Sequence, residues 1–120
     1  MLYMDITEDE LEERAVAKRV TLKDVEDSIL FCYFFTAADG VRATQKTTAR
    51  MQGKAKNLEL LTFCVLVLQN GFTVTGQSAC ADPANYQKDI GDRLAKTDAV
   101  NKIWPLLGFV LKNELNEGEA

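Results

Sequence analysis

Residues Leu58–Ser78 read LELLTFCVLVLQNGFTVTGQS: a long apolar run, the pair Asn70-Gly71, then a half-polar run. Asn-Gly between two β-rich segments is the strongest short-range hairpin signal, because a two-residue type I′ turn needs φ > 0 at both central positions. That turn pairs Gln69 with Phe72, Leu68 with Thr73, Val67 with Val74 and Leu66 with Thr75. Leu58–Leu68 is apolar on both sides of its alternation, as expected of a central strand covered on both faces. The strand after the turn alternates, Phe72 and Val74 inward and Thr73, Thr75 and Gln77 outward, which predicts an edge. Gly76 within it marks a bulge or a close backbone approach.

Working outward, Ile29–Thr36 (ILFCYFFT) has the length and aromatic content of a third, buried strand, ended by Ala37-Ala38-Asp39-Gly40. Thr7-Glu8-Asp9-Glu10 is a capping box that opens a thinly apolar helix to about Arg19, so residues 1–20 form a loosely attached N-terminal element. Thr21-Leu22-Lys23-Asp24 starts a second short helix toward Ser28. Beyond the hairpin, Asp82-Pro83 supplies an N-cap followed by Pro at the first helical position. The apolar positions Tyr86, Ile90, Leu94, Val100, Trp104, Leu107, Leu111 and Leu115 then keep to one helical face. Pro105 predicts a kink or a split near Trp104. Asp98 and Lys102 form an i,i+4 pair worth a few tenths of a kcal/mol, and residues 116–120 are a polar tail.

The expected architecture is a single α+β domain over residues 1–120: a small antiparallel sheet of about three strands, a long Pro-kinked C-terminal helix across one face, and short N-terminal helices. The second apolar sheet face also needs a cover. The N-terminal helix is too polar to supply all of it, so a homo-oligomer is expected.

Composition narrows the chemistry. A chain of 120 residues, 47% apolar, buries roughly two-thirds of its unfolded surface as one domain. The net charge of −4 argues against a general nucleic-acid binder. Charge is uneven, however: residues 1–20 hold six acids and three bases, whereas residues 41–57 hold five bases and no acid. In that second stretch Arg42, Lys46, Arg50 and Lys54 recur every four residues but no apolar face accompanies them. A mobile basic connection and a cationic flap for an anionic ligand both fit.

The three cysteines, Cys32, Cys64 and Cys80, show no CxxC spacing and read as reduced thiols in a cytosolic protein. The chain has no histidine, which removes Ser-His, Cys-His and His-metal arrangements. Ser78 in Gly76-Gln77-Ser78 lacks the following Gly and the strand-turn-helix setting of a nucleophile elbow. Asp82, Asp89 and Asp92 are better explained by a cap and a solvated helix face than by a metal site, and no cofactor is implied. Met1–Asp5 has neither the basic start nor the apolar segment of a signal peptide, and no apolar run reaches a membrane span, so a cytoplasmic location is expected.

The best ligand-recognition candidates are the hydroxyls and amides of the hairpin, Asn70, Thr73, Thr75, Gln77 and Ser78, beside the backbone donors of an edge strand, although an ordinary solvated Thr-rich edge is the favoured explanation of them. Trp104 reads first as core, with stacking on a base as the other role.

The string NGFTVTGQSAC, followed by DPANY, IG near the helix start and DAVNKIWPLLGF near its end, with FTAADG upstream, resembles a family of small accessory proteins of tailed bacteriophages and prophages, first catalogued from enterobacterial podoviruses. The likeness runs from about Val20 to Leu115. In this sequence Gln69 stands where that pattern leads one to expect a base, and Gln77 where it leads one to expect Glu. The resemblance implies an accessory protein acting in the cytoplasm of the infected bacterium and brings no activity with it. Together these readings give an expectation: a non-enzymatic, homo-oligomeric protein that sequesters a nucleotide-derived defence signal. Arg42, Lys46 and Arg50 would meet phosphates, Thr73, Thr75 and Ser78 would bond a sugar or base, and Trp104 would stack. The alternative is an inhibitor or adaptor that occupies a host enzyme through the edge strand or the acidic N-terminal helix.

Overall fold

The computed structural model describes residues 6–44 and 56–119. Their order is α1 (Glu8–Arg14), α2 (Leu22–Asp27), β1 (Ile29–Thr36), α3 (Ala37–Thr44), a 3-10 turn (Lys56–Leu60), β2 (Leu61–Leu68), β3 (Thr73–Ala79), a second 3-10 turn (Pro83–Asn85) and α4 (Lys88–Glu119). The strands form one antiparallel sheet in the order β1-β2-β3, so β2 is central as expected and both β1 and β3 are edges. The α+β architecture with its long C-terminal helix stands.

The hairpin register differs from the expected one by a single residue. Val67 pairs with Thr73, Leu66 with Val74 and Val65 with Thr75. Leu68 N donates to Phe72 O at 2.8 Å and Gly71 N donates to Leu68 O at 2.9 Å. The loop is therefore the three residues Gln69-Asn70-Gly71, and only Gly71 has positive φ, at 87°. That is a type I turn closed by a glycine bulge instead of a type I′ turn. Asn70 accepts from Phe72 N through its side chain, at 2.9 Å, and thereby favours this longer turn. Phe72, expected inward, is 55% exposed at the turn.

Helix starts follow their local signals. Thr21 and Asp24 form the reciprocal capping box of α2. A second reciprocal pair, Thr36 with Asp39, starts α3 directly after β1. Residues 41–44, expected within a mobile connection, therefore belong to a helix, and Lys56 and Asn57 enter a 3-10 turn; residues 45–55 lie outside the described residues. Helix α1 ends at Arg14 instead of Arg19, because the residues that follow bring no apolar anchor: Val16 is fully exposed. Asp82 caps the turn Pro83–Asn85, and the long helix begins afterwards at Lys88. The helix then runs through Pro105 to Glu119 without a split.

Helix α4 crosses the sheet on one face and builds the core there. Cys64, Leu66, Leu68 and Val74 point up from the sheet to meet Ala95, Ala99, Ile103 and Trp104, with Val25 of α2 closing one end. The helix lies against β3 along small residues. A Cβ added to Gly76 would fall 2.2 Å from Ala95 O and 2.3 Å from Ala99 N, so Gly76 marks a close backbone approach. One added to Gly91 would fall 3.1 Å from Thr62 Oγ1. The face against the sheet is consequently Gly91-Ala95-Ala99-Ile103. Ile90 and Leu94, expected to face the sheet, are exposed, because a helix this close has no room for large side chains over β3.

Candidate binding surfaces

Sheet alternation sorts every strand residue to a side. Cys32 and Phe34 of β1, the even residues of β2, and Val74, Gly76 and Ser78 of β3 share the α4 side. The opposite side carries three cross-strand rows: Phe31-Val67-Thr73, Tyr33-Val65-Thr75 and Phe35-Phe63-Gln77. No residue in these rows is charged. Phe31 and Tyr33 are 50% and 55% exposed, and their rings stand 6.1 Å apart; those of Phe35 and Phe63 are 5.7 Å apart. The β1 part of this face is therefore open, and Phe63, Val65 and Val67 of β2 are half-buried. The period-two aromatics of FCYFF were the available signal, but continuous apolarity pointed to two covered faces.

The two sheet edges differ. At β3, Asp98 Oδ2 accepts from Gln77 N at 2.9 Å and Lys102 Nζ donates to Thr75 O at 2.6 Å. Asp98 and Lys102 are thus engaged with the strand backbone, and α4 side chains take one donor and one acceptor in the middle of this edge. At β1 the described residues show such a bond only at the last position, where Thr36 N donates to Asp39 Oδ2.

A third surface is the distal part of α4. A helix of 32 residues spans about 48 Å, whereas an eight-residue strand spans about 26 Å, so roughly 20 Å overhangs the sheet. On this overhang Leu106, Phe109 and Val110 stand at i, i+3 and i+4 and are exposed, Phe109 by 69%. Its other side meets the N-terminal segment, where Lys18 pairs with Glu114 at 3.6 Å. A cleft of about 350 Å³ separates them, lined by Arg19, Asp24, Leu107 and Leu111 among others. Glu8 ties α1 to this region by accepting from Arg19 Nη1 at 3.0 Å and Leu22 N at 2.8 Å. Those bonds, Arg19 first, hold its carboxyl below the usual carboxylate range.

The residues expected to form one ligand site fall in separate places. Arg42 ends α3, where its guanidinium meets Glu59 and lies 3.9 Å from Asp39, so two carboxylates already match its charge. Lys46 and Arg50 lie outside the described residues. Thr73 and Thr75 project from the open sheet face, whereas Ser78 is on the helix side and donates to Gly91 O at 2.7 Å. Trp104 is 9% exposed and belongs to the core. The structure brings Thr73 and Thr75 together with Phe31 and Tyr33, and not with Arg42, Ser78 or Trp104.

The cysteines are free. Cys32 and Cys64 approach to 3.8 Å between sulfurs under α4, and burial pushes the Cys64 thiol up to about 12, so it stays protonated. Cys80 donates to Asp82 O at the first turn after β3. Among the described residues no three His, Cys, Asp or Glu side chains are grouped to hold a metal ion, and no helix is long and apolar enough to cross a membrane.

A family model described as phage protein (N4 Gp49/phage Sf6 gene 66) matches residues 20–115. That range starts after α1 and takes in α2, the sheet and all but the last few residues of α4. No curated protein and no solved structure matches the chain.

Proposed function

Because the chain belongs to the phage protein family of N4 Gp49 and phage Sf6 gene 66, we propose that it is a phage-encoded, non-enzymatic adaptor or inhibitor that acts in the infected host by binding a host protein. The observation that carries this reading is the overhang of α4. Leu106, Phe109 and Val110 form an i, i+3, i+4 apolar triplet on a helix that projects past its own domain. That is the pattern by which an amphipathic helix enters an apolar groove on a partner. The docking element differs from the edge strand, because Asp98 and Lys102 already bond the middle of that edge.

A second reading keeps sequestration of a nucleotide-derived signal. It is favoured by Thr73 and Thr75 standing on the same face as Phe31 and Tyr33, where a base can stack on a ring while hydroxyls bond its edge. It ranks second because the face is uncharged, and Arg42 would have to leave Glu59 to reach a phosphate.

One experiment separates them. The full chain is produced in infected bacteria and recovered under native conditions, as wild type, Phe109→Asp and, at a remote exposed site, Val16→Asp. Stoichiometric retention of one host protein by wild type and Val16→Asp, with loss in Phe109→Asp, is the expected result. Equal retention by all three removes the helix from the interaction. A nucleotide carried by all three, with no protein, moves the function to the sheet face.

A further inference from the structure

Folding brings two of the three cysteines together. Cys32 of β1 and Cys64 of β2 both point to the α4 side of the sheet, and their sulfurs lie 3.8 Å apart. Cys64 is fully buried, whereas Cys32 is half-buried. We propose that this pair is a two-coordinate site for a soft monovalent cation of the copper(I) class, held between the two sulfurs.

Geometry decides between the chemistries open to two neighbouring thiols. Cys32 pairs with Leu66 and Cys64 with Phe34, so the cysteines are diagonal neighbours and not direct partners. Diagonal positions on adjacent strands have Cα atoms about 7–8 Å apart, beyond the roughly 7 Å that a disulfide spans without backbone movement. An ion between the sulfurs meets no such obstacle. Thiolate–metal bonds of about 2.3 Å, the length in zinc–thiolate sites, put two sulfurs ~3.8 Å apart at an angle near ~110° and ~4.6 Å apart in line. The observed separation of 3.8 Å meets the bent limit as it stands. The linear limit asks each sulfur to retreat by only about 0.4 Å, which a small side-chain rotation supplies.

The number of donors selects the ion. Among the described residues no third Cys, Asp or Glu side chain joins the pair to make a larger ligand set. Zinc, which takes four ligands, is therefore not served, whereas thiolates suit copper(I). Each sulfur gives one bond to the ion and loses its proton to solvent, so two protons leave and the complex carries a net charge of −1. The Lys96 charge on α4 acts on Cys64 in favour of the anion, and Asp92 opposes it less strongly. The way in is over β1. Helix α4 rests on β3 and β2, and Phe34 of β1, on the same side of the sheet as Cys32, is 37% exposed. Cys32 is thus the sulfur an arriving ion meets first, and Cys64 closes the site away from water. The overhang of α4 takes no part, so this inference does not depend on the host-protein reading.

The test is anaerobic titration of the reduced full chain with copper(I), in the presence of glutathione as a competing thiol. Bound copper per chain is read by native mass spectrometry, and the folded state by the fluorescence of Trp104, a core residue, during heating. The variants are Cys32→Ser, Cys64→Ser and, as the control, Cys80→Ser. Wild type and Cys80→Ser are expected to hold one ion per chain and to melt at a higher temperature with it than without, since an ion bound only by the folded chain stabilises that state. Cys32→Ser and Cys64→Ser are expected to keep native Trp104 emission, to lose the ion and to melt alike with and without copper. Should Cys64→Ser fail to fold, Cys32→Ser, at the half-buried position, carries the test alone. A wild type that yields its copper to glutathione, an ion that leaves the melting unchanged, one retained by Cys32→Ser, or one lost in Cys80→Ser overturns the proposal.

Discussion

Gly76→Ala tests the closeness of α4 to the sheet, on which the packing description depends. Considered by propensity alone, alanine in a strand should stabilise by about 0.5–1 kcal/mol, because it reduces the freedom of the unfolded chain. The geometry gives the opposite sign. The added Cβ would sit 2.2 Å from Ala95 O and 2.3 Å from Ala99 N, where ordinary contact begins near 3.4 Å. The helix must therefore lift by about 1 Å along its contact with β3. Both obstructing atoms are backbone, so no side chain can swing away. Overpacking of this kind costs about 1–3 kcal/mol, and the rigid obstacle places it near 3.

For a domain of this size about 3 kcal/mol corresponds to a fall in Tm of roughly 12 °C. It is a large part of a total stability of about 5–15 kcal/mol. The assay is urea and thermal unfolding followed by the fluorescence of Trp104, which lies in the affected core. The double substitution Gly76→Ala with Ala99→Gly removes the Ala99 Cβ, 2.8 Å from the added methyl, but not the two backbone contacts. Rescue should be less than half. A Gly76→Ala protein within about 0.5 kcal/mol of wild type would refute the close approach, and full rescue by Ala99→Gly would refute its backbone origin.

Other consequences are as direct. Thr62 is 1% exposed and its hydroxyl has no hydrogen-bond partner, so Thr62→Val should be neutral or stabilise by up to about 1 kcal/mol in the same unfolding assay; a loss above that would reveal a bond the hydroxyl makes. Asp98→Ala removes the acceptor for Gln77 N, and amide exchange at Gln77 should accelerate at least several-fold while the central strand is unchanged. The Glu8 carboxyl has a folded pKa below its ordinary 4.5, so its contribution is complete above 4.5 and disappears as pH falls through the lower folded value. Protection of the Leu22 amide, corrected for intrinsic exchange, should drop over that acid range. In Glu8→Gln it should be lower from the outset and flat.

Much of the fold was legible. The extent of β1, the central place of β2, the helix caps at Thr7 and Thr21 and the long C-terminal helix all followed from local patterns, whereas β2 begins at Leu61 and not at Leu58 because residues 56–60 form a 3-10 turn. The hairpin register did not, because Asn-Gly suits both a two-residue turn and a three-residue turn that ends in the glycine. One further inference from the same sequence settles it. The two-residue register would have turned Thr75 and Gln77 toward α4 and Gly76 away, which is incompatible with a helix resting on Gly76. A glycine in a strand thus fixes the parity of the turn before it, provided the helix that needs the glycine has been identified. In the sequence the large residues Ile90 and Leu94 mask the Gly91-Ala95-Ala99 stripe.

The candidate site was less legible, for a different reason. Charge and hydroxyl groups are conspicuous in a sequence, but their partners are not. Arg42 is matched by Glu59 across the residues between α3 and β2, and Ser78 by a helix carbonyl, and neither pairing leaves a trace in spacing. Helix α3 had its signal in Thr36-Ala37-Ala38-Asp39, masked by the adjoining Gly40. The surfaces that stand out in three dimensions are apolar, and in one dimension an exposed phenylalanine and a buried one are the same letter.

The treatment of the β3 edge has one more consequence. Considered as a polymer, a β-sheet grows by adding strands at its ends, and this one is terminated at one end by Asp98 and Lys102. Among the described residues only the β1 end remains able to propagate. Two copies joined there would consume both reactive ends at once, and a third would find none. Growth strand by strand through the described edges would therefore stop at a pair, with the aromatic-rich β1 strands spent against each other.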